Sequence, residues 1–164
     1  MEEPELADFS QRELRDAMGC FATGVTVVTT MTDRGPLGMT VSSFASVSLD
    51  PPLVLWSPAR ISARFSAFEA ASHFTVHVLS QDQQYLAEKF SKSGFEAFND
   101  LEYSSGMGDT PLLDGCSARF ECSHAAGHDG GDHLIVVGEV LRISTCDKPS
   151  LLFYRGRFGA IPSA

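Results

Sequence analysis

The sequence predicts a single, mainly β domain, an antiparallel barrel with a few helices at its rims. Three observations carry that prediction. Runs of strand composition recur at residues 25–31, 37–48, 53–57, 73–79, 116–125 and 133–145. Turn-forming clusters separate several of them, among them Thr32-Asp33-Arg34-Gly35, Asp50-Pro51-Pro52 and Gly127-His128-Asp129-Gly130-Gly131-Asp132. No internal repeat and no second composition regime divides the 164 residues, a length that one hydrophobic core can serve.

Residues 1–8 are acidic and contain a proline, the pattern of a mobile lead-in to a domain spanning 9–164. Ser10 is placed to cap a helix beginning near Gln11, and Glu13 completes the capping-box pattern. Leu14, Met18 and Phe21 recur at helical spacing and predict one buried stripe. After the glycines at 19 and 24, residues 25–31 and 37–48 read as a hairpin about the Asp33-Arg34 turn. Residues 53–57, short, branched and bounded by prolines, read as a buried strand. A helix is expected over 61–71, with Ser62 as its cap and Phe65 and Phe68 on one face. Residues 73–79 alternate as a strand, and 82–90 form the next helix candidate, ended by Phe90-Ser91-Lys92-Ser93-Gly94. The Gly, Ser and Asp of 94–115 suggest a long surface excursion with little regular structure. Residues 116–125 and 133–145 carry strand composition on either side of a glycine- and histidine-rich bend, and 151–154 read as a last short strand or turn.

Composition narrows the function. A formal charge of −9 argues against nucleic-acid binding, which calls for a basic patch or stripe. The four cysteines (Cys20, Cys116, Cys122 and Cys146) lie far apart, without the close pairs a zinc site wants, and no metal is expected. The N-terminus has no apolar signal region and no stretch approaches the length of a membrane span. A cytoplasmic protein with reduced thiols is the plain reading.

Familiar catalytic signatures are absent: no Gly-x-Ser-x-Gly elbow, no His-Glu-x-x-His, no Walker-type loop and no Gly-x-Gly-x-x-Gly. Chemistry brought by a cofactor fits that absence. Thr40, Ser42, Ser43 and Ser46 precede the apolar strand, and short hydroxyls at a sheet edge suit a polar, phosphate-bearing ligand, though they read equally as solvent-facing strand residues. Ser57-Pro58-Ala59-Arg60 and Ser62-Ala63-Arg64 offer hydroxyls, two guanidinium groups and a helix start, a place that favours anions. Lys89 and Lys92 close a helix, where cations are favoured in any case. His133 follows Gly130-Gly131-Asp132 and opens a strand, so a rigid element holds its ring beside a glycine-lined gap; a satisfied structural histidine is the alternative.

Taken in order, these segments resemble the short-chain flavin reductases, the reductase components of two-component flavin-dependent monooxygenases. The resemblance runs from about Phe9 to Ile161 on Phe21-Ala22-Thr23-Gly24-Val25-Thr26-Val27-Val28-Thr29, on Gly38 through Pro52, and on Gly131-Asp132-His133 before Val137-Gly138-Glu139-Val140. It implies a flavin-binding split barrel, a homodimer with flavin near the subunit interface. It implies that Gly38, Met39, Thr40, Val41, Ser42 and Ser43 line the flavin ring and ribityl chain. Ser57, Pro58, Ala59, Ser62, Ala63 and Arg64 would hold the phosphate end, with Lys89 and Phe90 closing the pocket. His133 is similar to a family histidine beside the nicotinamide, and Tyr154, Arg155, Gly156 and Arg157 match a segment near it. The implied activity is hydride transfer from NADH, NADPH being the less favoured donor, to FMN or FAD, which leaves reduced for a separate monooxygenase component. A flavin carrier or sensor without reductase turnover is the alternative.

Overall fold

The computed structural model describes residues 8–162; residues 1–7 of the expected lead-in, and residues 163–164, lie outside the described residues. Helix α1 (Gln11–Met18) precedes a short strand β1 (Thr23–Gly24), the hairpin β2 (Thr26–Thr32) and β3 (Gly35–Val41), and the pair β4 (Ala45–Leu49) and β5 (Pro52–Trp56). Helix α2 (Phe65–Ala70), strand β6 (His73–Val78) and helix α3 (Gln84–Lys92) follow, then the small pair β7 (Ser104–Ser105) and β8 (Pro111–Leu112). Two long strands, β9 (Ala118–Gly130) and β10 (His133–Thr145), lead to the closing hairpin β11 (Leu152–Tyr154) and β12 (Arg157–Gly159).

Seven strands form one antiparallel sheet in the order β3-β2-β6-β9-β10-β5-β4. Its two edge strands, β3 and β4, are consecutive in sequence, with residues 42–44 between them. A flat sheet of that width would hold its edges about 29 Å apart. The four steps from Val41 to Ala45 span about 14 Å at most. The sheet must therefore curl until its edges approach at this corner, where they do not pair. The result is a barrel split along one seam, as the sequence predicts.

Two apolar clusters sit on opposite faces of β2, which is buried throughout from Thr26 to Thr30. Val28 joins Leu37, Met39, Val54, Trp56, Phe74, Val76 and Val136 inside the barrel, with Phe68 of α2 added. The Trp56 ring meets Phe68 and Phe74 edge-on at 5.1 and 5.7 Å. Val27 faces the other way, against Leu79, Leu86, Phe90, Phe98 and Leu113. Threonines of β2 survive inside because their hydroxyls reach carbonyls: Thr29 donates to Pro111 at 2.6 Å and Thr30 to His73 at 2.9 Å.

Several sequence expectations need correction. The run 37–48 is two strands, because at Val41 the chain leaves the β2 side of the seam and from Ala45 pairs with β5. The helix expected over 61–71 begins only at Phe65; Ser62 Oγ accepts from the Arg64 N–H at 3.2 Å, bracing the preceding turn instead of capping. Residues 94–115 run over the surface in their middle but are tied in at both ends. Ala97, Phe98 and Leu113 are buried against β2 and α3, at spacings that match neither a helix nor a strand. β9 runs on to Gly130, so the bend contracts to Gly131-Asp132. The capping box of α1 forms, with Glu13 N–H donating to Ser10 Oγ at 3.2 Å and Ser10 N–H to Glu13 Oε2 at 2.8 Å. Its stripe, however, is exposed: Leu14 by 43%, Met18 by 60% and Phe21 by 79%, since among the described residues no wall stands against it.

Candidate active site

The candidate residues gather at the seam and along a ribbon that rises beside it. Ser43 Oγ accepts from Ser57 N–H at 2.9 Å and lies 3.4 Å from the Ser57 carbonyl oxygen, joining the seam to the end of β5. Thr40 Oγ1 donates to the Ala87 carbonyl at 2.7 Å, which fixes β3 on α3. Along β3 and α3, against the closing hairpin, opens a groove of about 320 Å³, lined by Val25, Thr40, Val41, Ser42, Ala87, Glu88, Ser91, Phe153 and Phe158. Apolar walls with hydroxyls at the rim suit one end of a flat, polar-edged ring system, and that volume stands near the lower bound for ligand pockets. The donors and walls present thus fit a flavin.

Not every glycine here makes room for a ligand. A Cβ on Gly38 would lie 2.4 and 2.5 Å from the Phe90 ring, so Phe90 already fills the space that Gly38 leaves. Phe90 is fully buried and packs edge-on against Phe98 at 5.0 Å. It packs between β3 and α3 and is not among the residues that line the groove. Lys89 is ion-paired with Asp100.

Both guanidinium groups of the expected phosphate cradle are bound within the chain. Arg64 Nη1 donates to the Gly38 carbonyl at 3.1 Å and to that of Phe90, and its Nη2 lies 3.3 Å from the Ser91 carbonyl. Burial lowers the Arg64 pKa from its ordinary value. Arg64 thus ties β3 to the end of α3. Pro58, Ala59 and Arg60 instead attach to the β9–β10 ribbon. Leu134 N–H donates to the Pro58 carbonyl at 3.1 Å and Arg60 N–H to the Asp132 carbonyl at 2.9 Å, with a bridge between Ala59 and His133.

That ribbon outruns the sheet: strand neighbours end at Ser123 on β9 and at Val136 on β10. Its two-residue turn has Gly131 at φ +72°, the sign that the first central residue of a type II′ turn requires and that a side chain resists. His133, its side chain 44% exposed, stands just past the turn with Nδ1 2.7 Å from Asp132 Oδ1. The hydrogen bond from His133 holds the Asp132 carboxyl below its ordinary pKa. An ionised carboxylate only accepts, so Nδ1 carries the hydrogen and, in the neutral ring, Nε2 keeps the lone pair.

Tyr154, Arg155, Gly156 and Arg157 form the turn of the β11–β12 hairpin, with Arg155 and Gly156 both at positive φ. Their contacts run toward α1: Arg155 N–H donates to the Gly19 carbonyl at 3.0 Å, and Arg155 Nη2 lies 3.3 Å from Cys20 Sγ. Two larger hollows, of about 730 and 650 Å³, flank this hairpin. Within one chain, then, Ser43 bonds Ser57 and Ala59 bridges His133, while the hydrogen bonds of the 154–157 turn run to Gly19 and Cys20. Sequence reasoning missed Asp129, which pairs with Arg60 across the ribbon, and Phe153 and Phe158, which line the groove; short apolar strand residues near the C-terminus gave no signal of either role.

Known proteins share this chain's sequence and fold. A family profile described as the flavin reductase-like domain matches residues 18–162. The chain is 55% identical over 150 residues to FMN reductase (NADH) SmoA of Agrobacterium fabrum, covering 92% of this chain and 86% of that one. It is 44% identical over 148 residues to the reductase component of a flavin-dependent trigonelline monooxygenase of Acinetobacter baylyi, covering 90% of this chain but only 48% of that longer protein. Among solved structures, an NADH:FAD oxidoreductase of Streptomyces globisporus, in complex with NAD and FAD fragments, superposes with a TM-score of 0.88 at 35% identity, covering 99% of this chain and 98% of that one. A match over nearly the whole folded chain leaves one conclusion: the protein belongs to the flavin reductase-like family.

Proposed function

We propose that the protein oxidises NADH and passes the electrons to free FMN or FAD, which then leaves for a separate monooxygenase component. The observation that carries this is the stitching of the Gly131-Asp132-His133 turn to residues 58–60, whose neighbour Ser57 is bonded to Ser43 at the seam. One rigid piece of backbone thereby joins a flavin-side segment to a nicotinamide-side histidine. The relatives named above, a reductase using NADH and a monooxygenase reductase component, support the same reading.

The two bound nucleotides supply the chemistry, a hydride passing from the nicotinamide to the flavin. The chain supplies alignment and exclusion of water. Thr40, Val41, Ser42 and Ser43 line the flavin with the groove walls Phe153 and Phe158 beneath, and Gly38 and Met39 hold β3 in place behind them. Ser57, Pro58, Ala59, Ser62 and Ala63 hold the phosphate end through hydroxyls and backbone, while Arg64 braces the wall. His133 offers Nε2 to the nicotinamide carboxamide and does not move a proton in the chemical step. NADH as the donor favours a cytoplasmic setting, and no described helix is long and apolar enough to cross a membrane.

The working unit is a homodimer. Its support is the exposed apolar stripe of α1 and the 154–157 turn, whose hydrogen bonds run to Gly19 and Cys20 beside that stripe. In that arrangement the exposed Arg155 and Arg157 are also the groups a 2′-phosphate would meet.

Steady-state loss of NADH absorbance, with FMN or FAD added to purified protein, tests the activity. Turnover that depends on added flavin supports it. Tight flavin binding with no NADH oxidation would instead make the protein a carrier or sensor.

A further inference from the structure

We propose that Arg60 is a positioning residue for hydride transfer, a clamp on the Gly131-Asp132 turn that holds His133 at one spacing from the flavin-side segment 57–59. The proposal rests on the nicotinamide-side role of His133 given above.

The need for a clamp follows from the ribbon. Asp129, Gly130, Gly131 and Asp132 are all exposed, and the first buried side chain past the turn is Leu134. Beyond the sheet the ribbon has only the Pro58-Ala59 backbone beside it and no buried side chain in the turn itself, and a ribbon so lightly held is only marginally ordered at its tip. Its tip nevertheless carries a side chain whose placement the reaction depends on.

Arg60 meets that tip at three points. Its backbone N–H donates to the Asp132 carbonyl at 2.9 Å. Its Nε donates to the Gly131 carbonyl at 3.0 Å, and its Nη2 to Asp129 Oδ1 at 2.7 Å. The planar fork thus grips both the turn and the strand entering it, a geometry that lysine cannot copy. From the turn the path is short: Asp132 holds His133 Nδ1 at 2.7 Å. In the other direction Arg60 lies in one segment with Ser57, which Ser43 bonds at the seam. The guanidinium lies 5.6 Å from the Phe65 ring centroid at the start of α2, which steadies it from behind.

The ion pair is open to water, with side-chain exposures of 39% for Arg60 and 83% for Asp129. Pairs of that kind add little to global stability, so removing this one should be felt in alignment and not in folding. Misplacing a reacting group by about an ångström costs on the order of a hundredfold in rate, and a loosened turn forfeits part of that.

The test severs the contact from both ends in the full-length protein. Arg60→Gln and Asp129→Asn should each lower kcat/KM for NADH about tenfold, with the flavin Kd and the melting temperature close to wild type. Arg60→Lys should fall between, regaining the pair to Asp129 but not the bond to Gly131. Combined with His133→Asn, neither variant should add a further loss, because they act through the same ring. An undiminished, additive loss in the double variants would overturn the clamp. So would weaker flavin binding in Arg60→Gln alone, which would make Arg60 a flavin ligand. A silent Arg60→Gln beside a crippled His133→Asn removes the clamp and leaves the role of His133 standing. A silent His133→Asn removes that role, and the clamp as an orienter of the ring goes with it. Asp129 is exposed, so its variant carries the test if Arg60→Gln fails to fold.

Discussion

His77 is enclosed completely, yet its ring is fully satisfied. Nδ1 lies 3.0 Å from the Val27 carbonyl, which can only accept, so Nδ1 donates; Nε2 then accepts the Leu113 N–H at 3.1 Å. A second ring proton would face an N–H that already points at it. Burial pushes the His77 pKa down to about 3, against 6.5 ordinarily. Because the folded value is depressed, the stability due to neutral His77 is fully present above about pH 6.5. It is lost progressively as pH falls toward 3, by about tenfold in the folding constant per pH unit. Denaturant melts between pH 7 and pH 4 check this, and His77→Gln should flatten the slope. A slope unchanged by the substitution would assign the acid sensitivity to other groups. At this scale the sequence is unevenly legible. His133 stands out locally, because Gly-Gly-Asp precedes it and a strand follows. Arg60 and Asp129 do not, because they meet across 69 positions and no local pattern links them. Gly38 has a cause that no local pattern shows: its missing side chain makes room for Phe90, 52 residues on.

Strands and caps were legible because their causes are local. Val and Thr runs mark β2, β6 and β10, and Ser10 with Glu13 marks the start of α1. The break after Val41 was not, since it arises from a change of strand partner at the seam, which composition does not encode. Close contact between β3 and α3 yields a prediction. Gly38→Ala drives a methyl into the Phe90 ring, so β3 and α3 must part, at about 1–3 kcal/mol. Thermal melts should show the loss, and Phe90→Leu in the same chain should restore part of it. If Gly38→Ala left the melt unchanged but abolished flavin binding, the glycine would be serving the ligand instead. Gly138 on β10 poses the same problem against Phe74, whose ring would lie 2.4 Å from an added Cβ. An alanine there should destabilise the barrel without moving the kinetics of the folded fraction.

Barrel, seam and site form one design in the whole molecule: the three-residue link that splits the barrel also presents Ser42 and Ser43. The sequence revealed the class of fold, since strand runs and turn chemistry are local, and its hydroxyl runs marked the segments proposed for the site. It gave a buried stripe on α1 that the described residues do not bury, because periodicity tells which face is apolar and not what covers it. The proposed homodimer would cover that stripe. The double variant Met18→Glu/Phe21→Glu should sediment as a monomer at micromolar concentration and lose NADH turnover, while a wild-type protein that sediments as a monomer when active would remove the second copy from the site. The most direct measurement is anaerobic rapid mixing of the protein with flavin and NADH, following flavin absorbance for wild type and for His133→Asn. Direct reduction predicts fast bleaching in the wild type, and bleaching slowed about tenfold at equal flavin occupancy in the variant. Flavin that binds and is not bleached by NADH would contradict it.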